Sequence, residues 1–136
     1  MDKINLIQKS LDARKNSYSP YSKFKVGAAL LTESGEIYCG ANIENAAYGP
    51  TNCAERTAFF AAVNDGHRKF SAIAISGGFN EMPDDYCYPC GVCRQVMREF
   101  CNPKEFKIII AKDSENYKEY LLEELLPFGF GPEDLG

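Results

Sequence analysis

Cys53-Ala54-Glu55-Arg56-Thr57-Ala58-Phe59 and Pro89-Cys90-Gly91-Val92-Cys93-Arg94, with Ser71-Ala72-Ile73-Ala74-Ile75-Ser76 between them, decide how this chain is read. Thr51 or Asn52 can cap a helix that runs to about Val63, and Asp65-Gly66 ends it. Ser71 to Ser76 reads as a buried strand. Gly77 to Tyr88 is a long polar loop, and Pro89 suits the first turn of a helix reaching about Phe100. Phe106 to Ala111 is a further strand. Strands separated by helices favour parallel pairing through right-handed crossovers.

Upstream, Ile4, Ile7 and Leu11 recur at helical spacing, which predicts an amphipathic helix from about Asp2 to Lys15. Ser19-Pro20-Tyr21-Ser22 breaks that pattern. Val26–Leu31 and Ile37–Ile43 are strands, and Glu33-Ser34-Gly35-Glu36 between them makes an antiparallel hairpin. Downstream, Tyr120–Leu126 is a short helix or strand. With no repeat or linker, the pattern predicts one α/β domain over 1–136, a mixed sheet between helix layers.

The 136 residues suffice for one core, and 45% hydrophobic content is that of a folded globular chain. A net charge of −4 argues against a nucleic-acid polymer as partner and suits a small polar substrate. No stretch approaches the ~18–20 apolar residues of a membrane span, and Met1-Asp2-Lys3 leads straight into an amphipathic segment. The expected location is the cytoplasm, where six cysteines do not imply a disulfide framework.

Three of those cysteines carry the chemistry. Cys90 and Cys93 lie three apart at a helix start, so both sulfurs share a face, and Cys53 offers a third from another helix. Three ligands leave the fourth tetrahedral position of a zinc ion open, as in catalytic rather than structural sites. Glu55 stands two residues beyond Cys53, free to take a proton from water at that position and return it elsewhere. Cys87 precedes Pro89 and belongs to the loop, outside the ligand set; Cys39, Cys87 and Cys101 read as packing residues. Three thiolates around Zn²⁺ sum to −1, and Arg56 or Arg94 can donate to their sulfurs. His67, the only histidine, reads as a solvated bystander.

The Cys-x-Glu and Pro-Cys-x-x-Cys pair is the signature of zinc deaminases, and longer blocks narrow it. Ser19-Pro20-Tyr21-Ser22-Lys23-Phe24-Lys25-Val26-Gly27-Ala28-Ala29, Asn42-Ile43-Glu44-Asn45-Ala46-Ala47-Tyr48, Cys53-Ala54-Glu55-Arg56, Pro89 to Gln95 and Leu125-Leu126-Pro127-Phe128 resemble the small homotetrameric cytidine deaminases. The likeness runs from about Ser19 to Phe128. It implies a three-layer α/β/α sandwich with a five-stranded mixed sheet, one zinc per chain, and hydrolytic deamination of cytidine and 2′-deoxycytidine.

By that resemblance Phe24 packs on the pyrimidine or its sugar, and Asn42 and Glu44 bond the ribose hydroxyls. The Ala54 backbone and Glu55 read the base edge. Arg56 neutralises thiolate charge, and Tyr48 and Phe128 complete a neighbouring subunit's pocket in a homotetramer. Glu44 among the sugar contacts would repel a 5′-phosphate, which favours a nucleoside. The 77–88 loop is longer than in the family's shorter members, Tyr88 stands where a small residue is usual, and Val92 replaces the common alanine. Competing readings are a deaminase of modified nucleosides or nucleoside antibiotics, a dithiol oxidoreductase on Cys87-Tyr88-Pro89-Cys90, and a non-enzymatic zinc module with Cys87 as fourth ligand.

Overall fold

The computed structural model covers residues 1–136. Helix α1 (Lys3–Ala13) starts where the Asp2 carboxylate accepts the Asn5 N–H at 3.0 Å, a side-chain N-cap. Its buried stripe is Leu6, Ile7, Ser10 and Leu11, while Ile4 is exposed. The row expected from Ile4, Ile7 and Leu11 is therefore rotated toward Leu6. Ser10 hides in the stripe because its hydroxyl donates to the Ile7 carbonyl at 2.6 Å and meets Ser76 Oγ at 3.2 Å. A 3-10 turn, Arg14–Asn16, follows, so the α-helix is shorter than Asp2–Lys15.

The hairpin pairs β1 (Lys25–Thr32) with β2 (Ile37–Ala41), antiparallel. Helix α2 (Ala54–Asn64) then leads to β3 (Phe70–Gly78), and α3 (Gly91–Phe100) leads to β4 (Lys107–Ala111). The strand order is β2-β1-β3-β4-β5. Because β2 and β3 both run antiparallel to β1, they are parallel to each other, and β3–β4 is a parallel pair. Each helix-containing connection thus joins parallel strands. Ile43 falls outside β2 and makes single bridges to Tyr18 and Asn52. The Tyr120–Leu126 segment is both expected things: β5 (Tyr117–Leu121) passes directly into α4 (Leu122–Leu125).

Alternation along the strands divides the core. Ala29, Ala72, Ala74, Ile109 and Ala111 face Leu6, Ile7 and Leu11 of α1. Ala28, Leu30, Ile73, Ile75, Ile108 and Ile110 face Ala58, Phe59 and Met97 of α2 and α3. Burial on both faces explains the unbroken apolar character of β3 and β4. The result is a three-layer sandwich around a five-stranded mixed sheet.

Gly40 fixes how close α2 comes to β2. A Cβ there would lie 2.5 Å from the Ala58 nitrogen and 2.6 Å from the Ala54 carbonyl oxygen. Gly40→Ala is expected to lower unfolding free energy by about 1–3 kcal/mol, the range for overpacking, as read by urea denaturation. The shift would also push away the helix start that carries Cys53 and Glu55.

Candidate active site

Both ligand-bearing helices begin at a cysteine. Cys53 is the N-cap of α2, not Thr51 or Asn52 as the sequence implied. The chain is still extended through Asn52, whose backbone exchanges two 2.9 Å hydrogen bonds with Ile43 and whose side-chain amide donates to Thr57 Oγ1. Cys90, likewise extended at φ −69°, ψ 168°, caps α3, and its sulfur accepts the Cys93 N–H at 3.5 Å. Pro89 thus precedes the cap rather than sitting in the first turn. The unpaired N–H groups and positive dipole end of each helix favour a thiolate at its cap.

These two helix starts converge. Cys53 Sγ lies 3.7 Å from Cys90 Sγ, Cys90 Sγ lies 3.4 Å from Cys93 Sγ, and all three sulfurs fall within 4.8 Å of one another. A tetrahedral zinc with ~2.3 Å bonds to sulfur requires sulfurs ~3.8 Å apart. The donor set fits zinc. Cys87 is not in the cluster, and all six cysteines are free thiols. Cys101 is buried as a packing residue, whereas Cys39 is exposed on β2 instead.

The surroundings push the sulfurs in opposite directions. The Cys53 thiol is held well below its usual range, first by a hydrogen bond from Cys93 and then by Arg56 and Cys90. Cys93, as donor to Cys53 and buried, is held above. Arg56 Nη2 reaches Cys53 Sγ at 3.4 Å. Arg94 does not touch sulfur: its Nε donates to the Pro89 carbonyl at 2.7 Å and its Nη1 to Leu125 at 2.6 Å. It ties the α3 start to α4, so of the two arginines expected at the sulfurs only Arg56 is there. His67 also is no free bystander, since its Nε2 lies 3.0 Å from the Glu36 carboxylate and its ring packs edge-on against Tyr38.

Glu55 is 4% exposed, the only buried carboxyl of the chain. Burial pushes its carboxyl up to about 7, and the nearby Cys53 adds to that; its own backbone N–H, Cys93 and Arg56 pull the other way. An acid poised near neutrality is the condition for moving protons both ways. Glu55, Cys53, Cys90 and the fully buried Ala54 line a cavity of about 160 Å³, together with Val26, Asn42, Asn52, Cys87 and Tyr88. Thr51 joins it to a more open cavity of about 430 Å³ formed by Tyr21, Ser22, Glu44 and Tyr48. The largest cavity, about 480 Å³ among Met1, Glu33, Lys69 and Phe70, contains no thiol or histidine and has no part in this chemistry.

Asn42 and Glu44 brace the 17–26 segment. The Asn42 amide donates to the Phe24 carbonyl at 2.8 Å, and its oxygen accepts from Val26 N–H at 2.9 Å and from Ser17. The Glu44 carboxylate accepts from the Tyr21 and Ser22 N–H groups and the Ser22 hydroxyl. That last bond leads in holding it below the usual carboxylate range. Phe24 packs edge-on against Phe79 at 4.9 Å. Gly77, lacking a Cβ, opens the space that Phe24 and Cys87 share. Tyr48 and Phe128 both have positive φ, 61° and 57°, and both are exposed, Phe128 fully. Cys53, Cys90, Ala54, Glu55 and Asn42 line one cavity, with the buried Cys93 sulfur 3.4 Å from that of Cys90; Glu44 and Tyr48 line the adjoining cavity, and Phe24 and Phe128 line neither. Val26, Thr51, Asn52, Cys87 and Tyr88 also line the cavity; each sits beside a recognised motif, but nothing in its residue type distinguishes it.

Cysteines at two helix caps, with a buried carboxyl beside them, are the pattern of a zinc deaminase site. The family model for the cytidine and deoxycytidylate deaminase zinc-binding region matches residues 1–110. The cytidine deaminase of Sporosarcina psychrophila is 51% identical over 135 residues, covering 99% of this chain and 96% of that one. That of Halalkalibacterium halodurans is 46% identical over 135 residues, covering 99% and 98%. Among solved structures, the cytidine deaminase of Burkholderia pseudomallei superposes with a TM-score of 0.87 at 42% identity, covering 96% of this chain and all of that one. This chain belongs to the cytidine and deoxycytidylate deaminase family.

Proposed function

We propose that this chain, as one domain over 1–136, hydrolyses cytidine and 2′-deoxycytidine to the corresponding uridines and ammonia. The observation that carries this reading is the buried Glu55 carboxyl sharing one cavity with Cys53 and Cys90, two of a cluster of three sulfurs spaced for zinc with no fourth protein ligand. Cys53, Cys90 and Cys93 would hold the zinc, which supplies the Lewis acidity that makes water a nucleophile at neutral pH. Glu55 takes a proton from the attacking water and passes it to the ring nitrogen. As the exocyclic C–N bond breaks, it supplies the proton with which the amine leaves as ammonia. One water is consumed and a carbonyl replaces the amine.

The ~160 Å³ cavity takes the base and the adjoining ~430 Å³ cavity the sugar, together within the ~300–1,000 Å³ of small-molecule sites. The Ala54 backbone reads the base edge, Asn42 and Glu44 face the ribose hydroxyls, and Phe24 packs on the nucleoside. Arg56 offsets thiolate charge. A carboxylate at Glu44 disfavours a 5′-phosphate there. The test is ultraviolet monitoring of purified protein with cytidine, deoxycytidine and cytidine monophosphate. Turnover of the first two and little of the third is expected, and no turnover of either nucleoside would refute the reading.

Tyr48 and Phe128 support a homotetramer, since exposed aromatics at positive φ gain from covering by a neighbour. Sedimentation as a tetramer is expected. Phe128→Ala should keep thermal stability of the isolated fold yet raise the cytidine KM, measured by steady-state kinetics. A cytoplasmic setting suits free thiols. Modified nucleosides are a second substrate class, favoured only by the long loop on the cavity's rim.

A further inference from the structure

Arg14 is 4% exposed and has no carboxylate partner, a rare state for a guanidinium. Four backbone carbonyls satisfy it instead. Its Nε donates to Lys25 at 2.9 Å, Nη1 to Glu81 at 2.8 Å, and Nη2 to Gly78 at 3.0 Å and Asn80 at 2.6 Å. The rigid fork of donors is what lets one side chain reach all four.

Those acceptors have a common location. The β1–β3 ladder ends at the Lys25–Gly78 pair. Beyond that rung no strand or helix orders the chain until Gly91. Arg14 takes carbonyls on both sides of the last rung and two more past it, so it extends the pairing where backbone can no longer do so.

What this holds still is the wall of the cavity. Lys25 stands between Phe24 and Val26, and Val26 lines the cavity with Glu55. On the other side the 79–90 loop begins with Phe79, whose ring meets Phe24 at 4.9 Å, and later returns Cys87 and Tyr88 to the same cavity. Gly77 between them packs against both Phe24 and Cys87.

We infer that Arg14 is a positioning residue for nucleoside binding: it pins the post-β3 loop to the β1 start and, through Phe79, sets the ring of Phe24 against the substrate. This deepens the proposed function and rests on it. Contacts made by Phe24 do not change as the base reacts, so loosening them removes binding that is equal in ground and transition states. Such a loss raises KM and spares kcat.

The experiment compares wild type, Arg14→Lys, Arg14→Met, Phe79→Leu and the Arg14→Lys/Phe79→Leu pair in steady-state cytidine kinetics, with zinc content measured on each. Lysine keeps the charge and stem but is a point donor that cannot span four carbonyls. Arg14→Lys is expected to raise KM about tenfold with kcat within about twofold of wild type and zinc unchanged. Phe79→Leu should shift KM in the same direction, and the pair should show less than the product of the two effects. Should Arg14→Met fail to fold, Arg14→Lys and the double-variant cycle still decide. An unchanged KM in Arg14→Lys, a fall in kcat matching the KM effect, or full multiplicativity in the pair would overturn the inference. An inactive wild type would instead overturn the function it rests on.

Discussion

Replacing Glu55 by glutamine is expected to cut kcat on cytidine by about 10³–10⁴-fold, the upper part of what a positioned acid–base group contributes. In the proposed mechanism one residue serves both proton deliveries, so both are lost together. Glutamine preserves shape in a site where Glu55 is 4% exposed, and it removes a carboxyl that has given up its hydration. The thermal midpoint should therefore be unchanged or higher, and zinc should remain at one per chain. Those two readings separate loss of chemistry from loss of fold. A variant retaining more than about a tenth of wild-type kcat would mean that another group moves the protons.

The second large effect is metal removal by Cys93→Ala. Cys93 is 1% exposed and joins the sulfur cluster to the core face of α3. Without it two thiolates remain, and purified protein is expected to carry no stoichiometric zinc by elemental analysis. Turnover should fall by more than about 1,000-fold, because nothing then lowers the pKa of the attacking water. Cys87→Ala is the paired control. Its thiol, pushed up to about 12 chiefly by burial, lies outside the cluster, so zinc should stay in place. Zinc lost from Cys87→Ala would make the site a four-sulfur structural one.

Much of this was legible in the sequence because its signals are local. Cys90 and Cys93 three apart at a helix start share a face wherever that helix docks, and Asp65-Gly66 ends α2 with Gly66 at φ 98°. The hairpin and the parallel crossovers follow from turn residues and alternation within short windows. What stayed hidden depends on distant partners. Cys53 rather than Asn52 caps α2 because Ile43 holds Asn52 extended, nine residues upstream. The buried stripe of α1 is rotated because Ser10 meets Ser76 across the sheet, which makes a polar residue behave as core. Arg94 donates to the carbonyls of Pro89 and Leu125 and not to the sulfurs, and only the docking of α4 supplies the second of these acceptors.

Arg14 is the extreme instance. Four carbonyls from two stretches, Lys25 and 78–81, satisfy it, and a carbonyl has no side-chain identity to read. Asn42 and Glu44 fall between these cases. Their residue types within the 42–48 block mark them by resemblance, whereas their hydrogen bonds to the 17–26 segment depend on the fold.

Zinc-edge X-ray absorption on active, purified protein tests the central claim most directly. Three sulfur neighbours at about 2.3 Å and one oxygen or nitrogen at about 2.0 Å are expected. Four sulfurs, or sulfurs bonded to each other with no metal between them, would contradict the account.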